Sequence, residues 1–331
     1  MYSLDALPFA RVPLLTGPTE IAQIGPDTWV KREDRAGTVY GGNKVRKLEW
    51  LLGAALEGGG DVLAAGTVGS NHLVATAVYG QRVGAHVHAV VAAQADAPTA
   101  HVNARILHAH TEKLWVAGTT PMIAVQWAKA QAFLRIFGGY PPAAFPIGGS
   151  NVLGCLGWVA GGLEIAAQVR AGELPAPDRV YVALGSGGTA AGLLVGLRLG
   201  GLDTEVVAVR AAPSFLAAPW RVRRLAGQTL DALRPFGAPE TPLGGLRVVD
   251  GFLGRGYARP SEATESAQVR AAAVGLELES TYTAKAFAAM LAEDHGKRLF
   301  IHTANTLPLT PLLATALDET PPSLRGLLRP L

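Results

Sequence analysis

Residues 180–199 read VYVALGSGGTAAGLLVGLRL, and this stretch decides the class of fold. Its first five residues are apolar and end at a glycine, which is typical of a short buried strand. The centre, Gly185 to Thr189, predicts a turn, and Ala190 to Leu199 predicts a helix. Val180 to Leu197 carries no charge and approaches the length of a membrane span, but five glycines interrupt it. We therefore expect a strand, a loop and a helix of an α/β protein.

The same alternation of strands and helices extends in both directions from this stretch. The predicted strands are 61–66, 87–91, 114–116, 180–184, 206–210 and 299–303. The predicted helices are 43–56, one from about 71, 99–110, 121–137, 156–169, 190–199, 221–233, 261–274 and 285–295. Residues 138–149 are rich in Gly and Pro and are interpreted as a connection between two units. Alternating strands and helices predict parallel sheets covered by helices.

Composition narrows the class of protein further. The chain has 331 residues, with 49% hydrophobic and 17% charged side chains, which excludes a disordered or fibrous protein. Its length suggests about two domains. The net charge of +3 and the lack of a basic run argue against a nucleic-acid partner. The single cysteine, Cys155, excludes an intramolecular disulfide and a multi-cysteine metal site and fits a reducing, cytoplasmic setting. The start, 1–10, does not have the pattern of a secretion signal.

The segment Gly41-Gly42-Asn43-Lys44-Val45-Arg46-Lys47-Leu48-Glu49 places a lysine at the start of a predicted helix. A helix N-terminus carries partial positive charge, so a lysine there is unfavourable unless an anion or a covalent adduct compensates it. A lysine with a depressed pKa in that setting is a better nucleophile towards a carbonyl group. The alternative interpretation of Lys44 is a solvated lysine on a helix face.

Two polar loops follow predicted strands. The loop Gly66-Thr67-Val68-Gly69-Ser70-Asn71-His72 could present N–H groups and hydroxyls to a carboxylate, although simple helix capping by Ser70 or Asn71 is the alternative. The loop Gly185 to Thr189 could surround a phosphate. It also fits the looser dinucleotide pattern, with Arg210 about twenty residues further on, so an NADP oxidoreductase is a rival interpretation.

Taken together, these segments resemble the family of 1-aminocyclopropane-1-carboxylate deaminase and D-cysteine desulfhydrase, which are fold type II enzymes that use pyridoxal 5′-phosphate. The resemblance runs from about Lys31 to Thr303. The matching segments are 31–34 with 41–49 for the cofactor lysine, 70–72 for the substrate-carboxylate loop, 148–151 between the domains, 185–189 for the phosphate loop, and 256–257 with 282–283 for two tyrosine segments. The fold implied is two parallel-sheet, three-layer α/β domains of the tryptophan synthase beta type, with the cofactor in the cleft between them.

The resemblance also implies the domain limits and the residues of the site. The small domain would be 45–150, and 1–44 with 151–331 would form the large cofactor-binding domain. Lys44, Tyr257, Tyr282 and Ser70 would be catalytic. The cofactor would be held by Asn43, Lys44, Lys47, Gly185, Ser186, Gly187, Gly188, Thr189, Tyr282 and Thr283. The substrate would be held by Ser70, Asn71, His72 and Tyr257. No metal is expected, since the spacing of His108 and His110 does not direct both rings to one ion.

Thr283 stands where the ring-opening deaminases place a glutamate against the pyridine nitrogen of the cofactor. A hydroxyl there makes a weaker electron sink and suits β-elimination, and His72, where those enzymes tend to carry glutamine, points the same way. Two positions depart from the family pattern. Gly69 replaces the glutamine that usually precedes Ser-Asn, and Asn305 replaces one of a glycine pair and would add bulk and polarity near the cofactor.

The predicted function is β-elimination and deamination of a small amino acid, like D-cysteine desulfhydrase, giving a 2-keto acid and ammonia. The nearest alternative is a 1-aminocyclopropane-1-carboxylate deaminase. Alternatives of other classes are an NADP oxidoreductase and a protein that binds the cofactor without turnover. The expected partner is a small amino acid, with no nucleic acid and no membrane. The resemblance implies a homodimer, and the single cysteine favours the cytoplasm.

Overall fold

The computed structural model describes residues 2–139, 141–293 and 295–329 of the chain. Strands are numbered as β1 Ile21–Gly25, β2 Thr28–Lys31, β3 Asp61–Thr67, β4 His86–Ala92, β5 Gln94–Ala95, β6 Lys113–Ala117, β7 Ala143–Phe145, β8 Arg179–Leu184, β9 Glu205–Arg210, β10 Leu246–Val249, β11 Arg298–Ile301 and β12 Leu328–Arg329. The α-helices are α1 Lys44–Glu57, α2 Asn71–Val83, α3 Pro98–His110, α4 Thr120–Phe137, α5 Val152–Arg170, α6 Gly188–Leu199, α7 Pro219–Leu233, α8 Glu262–Ala272, α9 Thr283–Ala292, α10 Thr310–Leu313 and α11 Pro322–Arg325.

The chain folds into two compact units. The first, termed unit 1, comprises residues 1–8, 15–47 and 150–306. The second, termed unit 2, comprises residues 9–14, 48–149 and 307–331. Helix α1 therefore starts in unit 1 and continues in unit 2.

Unit 1 contains a six-stranded sheet in the order β1-β2-β11-β8-β9-β10. All neighbouring strands are parallel except β1 and β2, which pair antiparallel at one edge. Alternate residues of the central strands face opposite sides of the sheet. Tyr181 and Val207 pack into a cluster with α8 and α9, and Val180 and Val206 on the other side are also fully buried. Both faces are therefore covered by other elements, as expected for a three-layer domain.

Helices α5 and α6 of unit 1 approach each other closely because glycines line their contact. A Cβ added at Gly162 would lie 2.6 Å from the backbone nitrogen of Leu197, and one at Gly192 would lie 2.5 Å from the carbonyl oxygen of Cys155. Among the described residues, α5 alone has the length and composition of a membrane-crossing helix, and 67% of its apolar window is buried inside the protein. Helix α5 is apolar because it packs against α6 in the core of unit 1.

Unit 2 contains a four-stranded parallel sheet in the order β6-β4-β3-β7. Leu63 and Val90 pack against Ala130 and Leu134 of α4 on one face. On the other face, Gly80 of α2 lies so close to Val87 that a Cβ there would overlap its methyl group. A second, two-stranded sheet joins β5 to β12 near the C-terminus.

The predicted fold class is confirmed, and the predicted strands and helices are present with small shifts of their ends. One expectation is corrected: residues 138–149 are more than a connection, because 143–145 form the edge strand β7. The antiparallel hairpin of β1 and β2 at the edge of the other sheet was not predicted. The predicted domain limits, 45–150 against 1–44 with 151–331, stay a prediction. The compact units differ from them chiefly in the C-terminal segment, where β12 pairs with β5 and places 307–331 in unit 2.

Candidate active site

The turn before α1 places Lys44 at a fixed position in unit 1. Gly42 has a φ of +94°, and a Cβ there would lie 2.7 Å from the carbonyl oxygen of Thr303. The Gly42 N–H donates to the Glu33 carbonyl oxygen at 2.8 Å, and the Gly41 N–H donates to Oδ1 of Asn305. Asn305, a departure from the family pattern, thus accepts a hydrogen bond from the turn that carries the lysine.

Lys44 and Lys47 lie one helical turn apart, and both amines are less basic than usual. Burial, followed by the nearby positive charge of Lys47, holds the pKa of Lys44 well below its ordinary value. Burial lowers the pKa of Lys47 to about 8. A neutral Lys44 has a lone pair with which it can attack a carbonyl carbon or accept a proton.

A buried ionic cluster fixes the first turn of α1 between these two lysines. The guanidinium of Arg46 donates to Glu33 at 2.7 and 2.8 Å and to Glu164 at 2.8 and 3.0 Å. Lys31 donates to the same Glu164 carboxylate at 2.6 Å. Two cations thus face two carboxylates. Burial would raise the pKa of Glu164, but the charges of Arg46 and Lys31 and their hydrogen bonds hold it at about 2.

The glycine loop between β8 and α6 presents hydrogen-bond donors at a helix N-terminus. Gly187 has a φ of +91°, which favours glycine, and precedes the first residue of α6. Ser150 lies beside this loop: its Oγ is 2.7 Å from Oγ of Ser186, accepts the N–H of Gly188 at 3.1 Å and accepts from Nζ of Lys47 at 3.3 Å. Asn43 donates to Oγ1 of Thr189 at 2.9 Å.

This loop fits the phosphate of pyridoxal phosphate. Its groups are a cation, two serine hydroxyls and the N–H groups of a helix first turn, which have no partner within the helix. A Cβ at Gly188 would lie 2.6 Å from Oγ of Ser150 and 2.7 Å from Nζ of Lys47, so a larger residue would displace both groups from the loop. The adjacent helix start carries Lys47, whose amine reaches Ser150 of this site, and Lys44, whose lowered pKa suits an amine that must react with a carbonyl group.

Two tyrosines lie next to the phosphate loop. The hydroxyls of Tyr257 and Tyr282 are 2.8 Å apart, and the Tyr282 ring lies 3.3 Å from the position of a Cβ at Gly185. Burial, followed by Tyr257, raises the pKa of Tyr282 well above its ordinary value. The loop that carries Tyr257 is held by the buried Lys285, whose Nζ donates to the carbonyl oxygens of Leu253 and Gly256 at 2.9 and 3.0 Å.

Thr283 begins α9 and is tied to Glu279. Oγ1 of Thr283 accepts the Glu279 N–H at 2.9 Å and lies 3.1 Å from both the carbonyl oxygen and Oε1 of Glu279. The Glu279 carboxylate also accepts the N–H groups of Thr281, Tyr282 and Thr283. A negative charge therefore stabilises this helix N-terminus, with the threonine hydroxyl beside it.

The loop Thr67–Asn71 lies in unit 2, at the end of β3. Ser70 is the N-cap of α2 and accepts the Leu73 N–H at 3.4 Å, so the capping alternative describes part of its role. His72 is buried, and Oγ1 of Thr76 donates to its carbonyl oxygen at 2.7 Å. Gly69 is necessary here because a Cβ would lie 2.5 Å from Nε2 of Gln94 and 2.9 Å from Cβ of Ala100.

Unit 1 thus brings together most of the predicted cofactor-site residues, and unit 2 holds the three predicted carboxylate-loop residues. The sequence analysis missed Ser150 as part of the phosphate loop, Glu279 beside Thr283, and Lys285 under the tyrosine loop. Ser150 could have been found, because it lies in the segment 148–151 that matches the family. Glu279 lies in the irregular segment before α9 and Lys285 lies in the first turn of α9, and no local sequence pattern marked either residue. Within the part of the chain that the structure describes, no group of three or more His, Cys, Asp or Glu side chains could hold a metal ion.

A two-unit α/β fold, a glycine loop that fits a phosphate at a helix start, and a buried lysine with a lowered pKa are together typical of enzymes that anchor a phosphorylated carbonyl cofactor. Residues 7–303 match the family described as pyridoxal-phosphate dependent enzyme. The chain belongs to this family, and the predicted cofactor and family are confirmed. The rival NADP oxidoreductase is wrong, and the Arg210 on which it depended forms an ion pair with Asp250.

Two curated relatives match along almost their whole length. Nocardicin C-9′ epimerase of Nocardia uniformis subsp. tsuyamanensis is 33% identical over 92% of this chain and 94% of its own. D-cysteine desulfhydrase of Salmonella paratyphi B is 32% identical over 89% of this chain and 94% of its own. Among solved structures, a 1-aminocyclopropane-1-carboxylate (ACC) deaminase homologue matches with a TM-score of 0.76 and 28% identity, over 93% of this chain and 97% of its own. Maize serine racemase, with a TM-score of 0.61 and 15% identity over 90% and 91%, shares the fold.

The lowered pKa of Lys47 predicts pH-dependent anion binding. We expect the affinity of the cofactor-free K44A protein for inorganic sulfate, which keeps its charge throughout, to fall above pH 8 by up to about tenfold per pH unit as Lys47 loses its proton. Calorimetric titration between pH 7 and 10 measures this. The K44A/K47M protein should bind sulfate weakly with no pH slope, and an equal slope in both proteins would show that Lys47 does not hold the anion.

Proposed function

We propose that the protein catalyses pyridoxal-phosphate-dependent β-elimination and deamination of a small amino acid, with D-cysteine as the first candidate substrate. The products would be a 2-keto acid, ammonia and the β-substituent, which for D-cysteine is hydrogen sulfide. The observation that carries the proposal is the start of α1: burial holds the pKa of Lys44 well below its ordinary value, and the preceding Asn43 donates to Thr189 at the phosphate loop. Relatedness to D-cysteine desulfhydrase at 32% identity supports the same reaction.

The protein's own groups have distinct proposed roles. Pyridoxal phosphate, when bound, supplies a ring that withdraws electrons from the α-carbon of an amino acid. Lys47, Ser186, Thr189 and the glycines at 185, 187 and 188 would bind its phosphate, and Asn43 would orient Thr189. Lys44 would hold the cofactor and then accept the α-proton on Nζ. Loss of this proton and of the β-substituent with its electron pair, followed by hydrolysis, gives the products.

The remaining site residues would act on the substrate and on the ring. Ser70, Asn71 and His72 would bind the substrate carboxylate through N–H groups and polar side chains. Tyr282 would pack on the ring, and Tyr257, which shares a hydrogen bond with it, would face the reacting carbon. Thr283 offers the ring nitrogen a hydroxyl rather than a carboxylate, which favours elimination assisted by a leaving group over ring opening.

Epimerisation at the α-carbon is the second candidate function, favoured by the 33% identity to nocardicin C-9′ epimerase. It shares proton removal at the α-carbon and returns a proton instead of losing a β-substituent. ACC deamination is a third, because an ACC deaminase homologue is a structural neighbour. Cofactor binding without turnover is the remaining alternative.

The test is a panel of D- and L-amino acids, including D-cysteine and 1-aminocyclopropane-1-carboxylate, with pyridoxal phosphate supplied. We expect 2-keto acid and ammonia in equal amounts, fastest from D-cysteine. α-Deuterium incorporation and inversion without keto acid would instead establish epimerisation, and faster release from the cyclopropane compound would establish ring opening. A cofactor-loaded protein that changes no amino acid would overturn all three catalytic functions.

We infer from the family resemblance that the enzyme is a homodimer, and from its single cysteine that it acts in the cytoplasm. Light scattering of the cofactor-loaded protein should give twice the mass of one chain, and the mass of a single chain would contradict this.

A further inference from the structure

We propose that Asn103, which lies outside every predicted motif, is a positioning residue that fixes the side-chain amide of Asn71 with its NH2 group as the donor for the substrate carboxylate. The inference rests on the proposed carboxylate-binding role of the loop 70–72. It names a residue on α3 that determines how that loop binds.

The contacts of Asn103 define the arrangement. Its side chain is buried, with 6% of its surface exposed. Nδ2 donates to the carbonyl oxygen of Gly69 at 2.9 Å and to Oδ1 of Asn71 at 2.8 Å. One amide nitrogen therefore holds both the backbone before Ser70 and the side chain after it.

The orientation of both amides follows from the backbone. A carbonyl oxygen only accepts hydrogen bonds, so the Asn103 atom that faces the Gly69 carbonyl must be its NH2 group. The same NH2 group faces Asn71, so the Asn71 atom that meets it must be the oxygen. The NH2 group of Asn71 is then directed to the other side of its amide, where it can donate to a carboxylate. A reversed Asn71 would present its oxygen there and repel the substrate.

Gln94 holds the other side of the same glycine. Its Oε1 accepts the Gly69 N–H at 3.1 Å, and its own position is set by pairing of β5 with β12, in which the Gln94 N–H donates to the Leu327 carbonyl oxygen at 3.1 Å. The N–H and C=O groups of Gly69 are thus both bound by side-chain amides, which leaves the loop one orientation. Of these two amide side chains, Asn103 is the one that also contacts Asn71, a residue proposed to bind the substrate.

The decisive variant is N103D, because a carboxylate has the same shape but no donor. The introduced carboxylate would draw the NH2 group of Asn71 towards itself and turn the Asn71 oxygen to the substrate. We expect KM for the amino acid to rise roughly 10- to 100-fold, with kcat within about twofold of wild type. N103A leaves Asn71 able to adopt either orientation, so its KM should lie between those of wild type and N103D.

Q126E is the matched control. Gln126 lies on α4 of unit 2 and its Nε2 donates to the Val116 carbonyl oxygen at 3.0 Å, away from the loop. The same amide-to-carboxylate change there should lower stability and leave KM unchanged. N103D also sets a carboxylate against the Gly69 carbonyl oxygen, so a purely structural role for Asn103 predicts that the loop is disturbed as a whole and that kcat falls together with affinity. That outcome, or an unchanged KM in N103D, would overturn the proposal.

A second variant tests the orientation without changing Asn103. In N71D, an oxygen still meets the Asn103 NH2 group, so we expect the urea midpoint of the cofactor-free protein to stay at or above that of Q126E while KM rises. A midpoint well below that of Q126E would mean that Asn71 has the opposite orientation and would contradict the inference. If wild type turns over no amino acid and no amino acid alters the cofactor spectrum, the proposed function fails. The urea midpoint of N71D would still decide the orientation of the Asn71 amide.

Discussion

Replacing Lys44 with alanine is expected to abolish turnover, with kcat lower by about 10³-fold or more, because the variant loses both the covalent anchor and the proton acceptor. The absorbance band of lysine-bound cofactor should disappear as well. The cofactor's phosphate should still bind, because Lys47, Ser150 and Ser186 remain at the helix start. Stopped-flow and steady-state assays with the loaded protein measure the first effect, and an absorption spectrum measures the second.

The matched control is K129A, which removes an exposed lysine of α4. It should keep the wild-type spectrum and rate. A yellow, fully loaded K44A protein with an unchanged spectrum would show that another lysine holds the cofactor.

The second large effect is on stability. R46M keeps most of the apolar stem of the side chain but leaves Glu33 and Glu164 facing a single cation, Lys31, in the interior. Removal of one partner from such a cluster costs about 3–5 kcal/mol, a large part of the roughly 5–15 kcal/mol by which proteins are stable. We expect a fall of about 10 °C in Tm at pH 7, measured by calorimetry.

A control variant and the pH dependence of Tm distinguish lost charge interactions from lost packing in R46M. R135M makes the same change at an exposed site of α4 and should leave Tm within about 1 °C of wild type. Charge partners lower the pKa of Glu164 to about 2, so its stabilising effect is present above its unfolded-state pKa near 4.5 and is lost as the pH falls towards 2. The Tm difference between wild type and R46M should therefore shrink below about pH 4, and a difference that is constant with pH would indicate lost packing instead.

The sequence predicts the parallel strand–helix units well because buried strands and amphipathic helices have distinct periods, as in β8 and α1. It does not predict the hairpin of β1 and β2, because those strands are short and β1 carries few strongly apolar residues. The strand β7 is hidden among glycines and prolines. The pairing of β12 with β5 joins two-residue strands more than 230 residues apart, and no local pattern indicates it.

The residues of the candidate site also include some that the sequence predicts and some that only the fold identifies. The motif around Lys44 and the loop 185–189 have local signatures, since they require glycines next to a lysine or a helix start. Asn103, Glu279 and Lys285 act through contacts with residues brought to them by the fold, so their importance depends on tertiary geometry. Gly69 and Asn305 depart from the family pattern in sequence, and in the structure each has a defined neighbour, Gln94 and Gly41.

The central claim is that Lys44 is the residue that binds pyridoxal phosphate. Borohydride reduction of the loaded protein, followed by peptide mass spectrometry, tests it directly because the reduced lysine linkage survives digestion. We predict one cofactor per chain, attached to Lys44 in the peptide that contains 41–49. Attachment to Lys47 or another lysine, or a loaded protein with no covalent adduct, would contradict the claim.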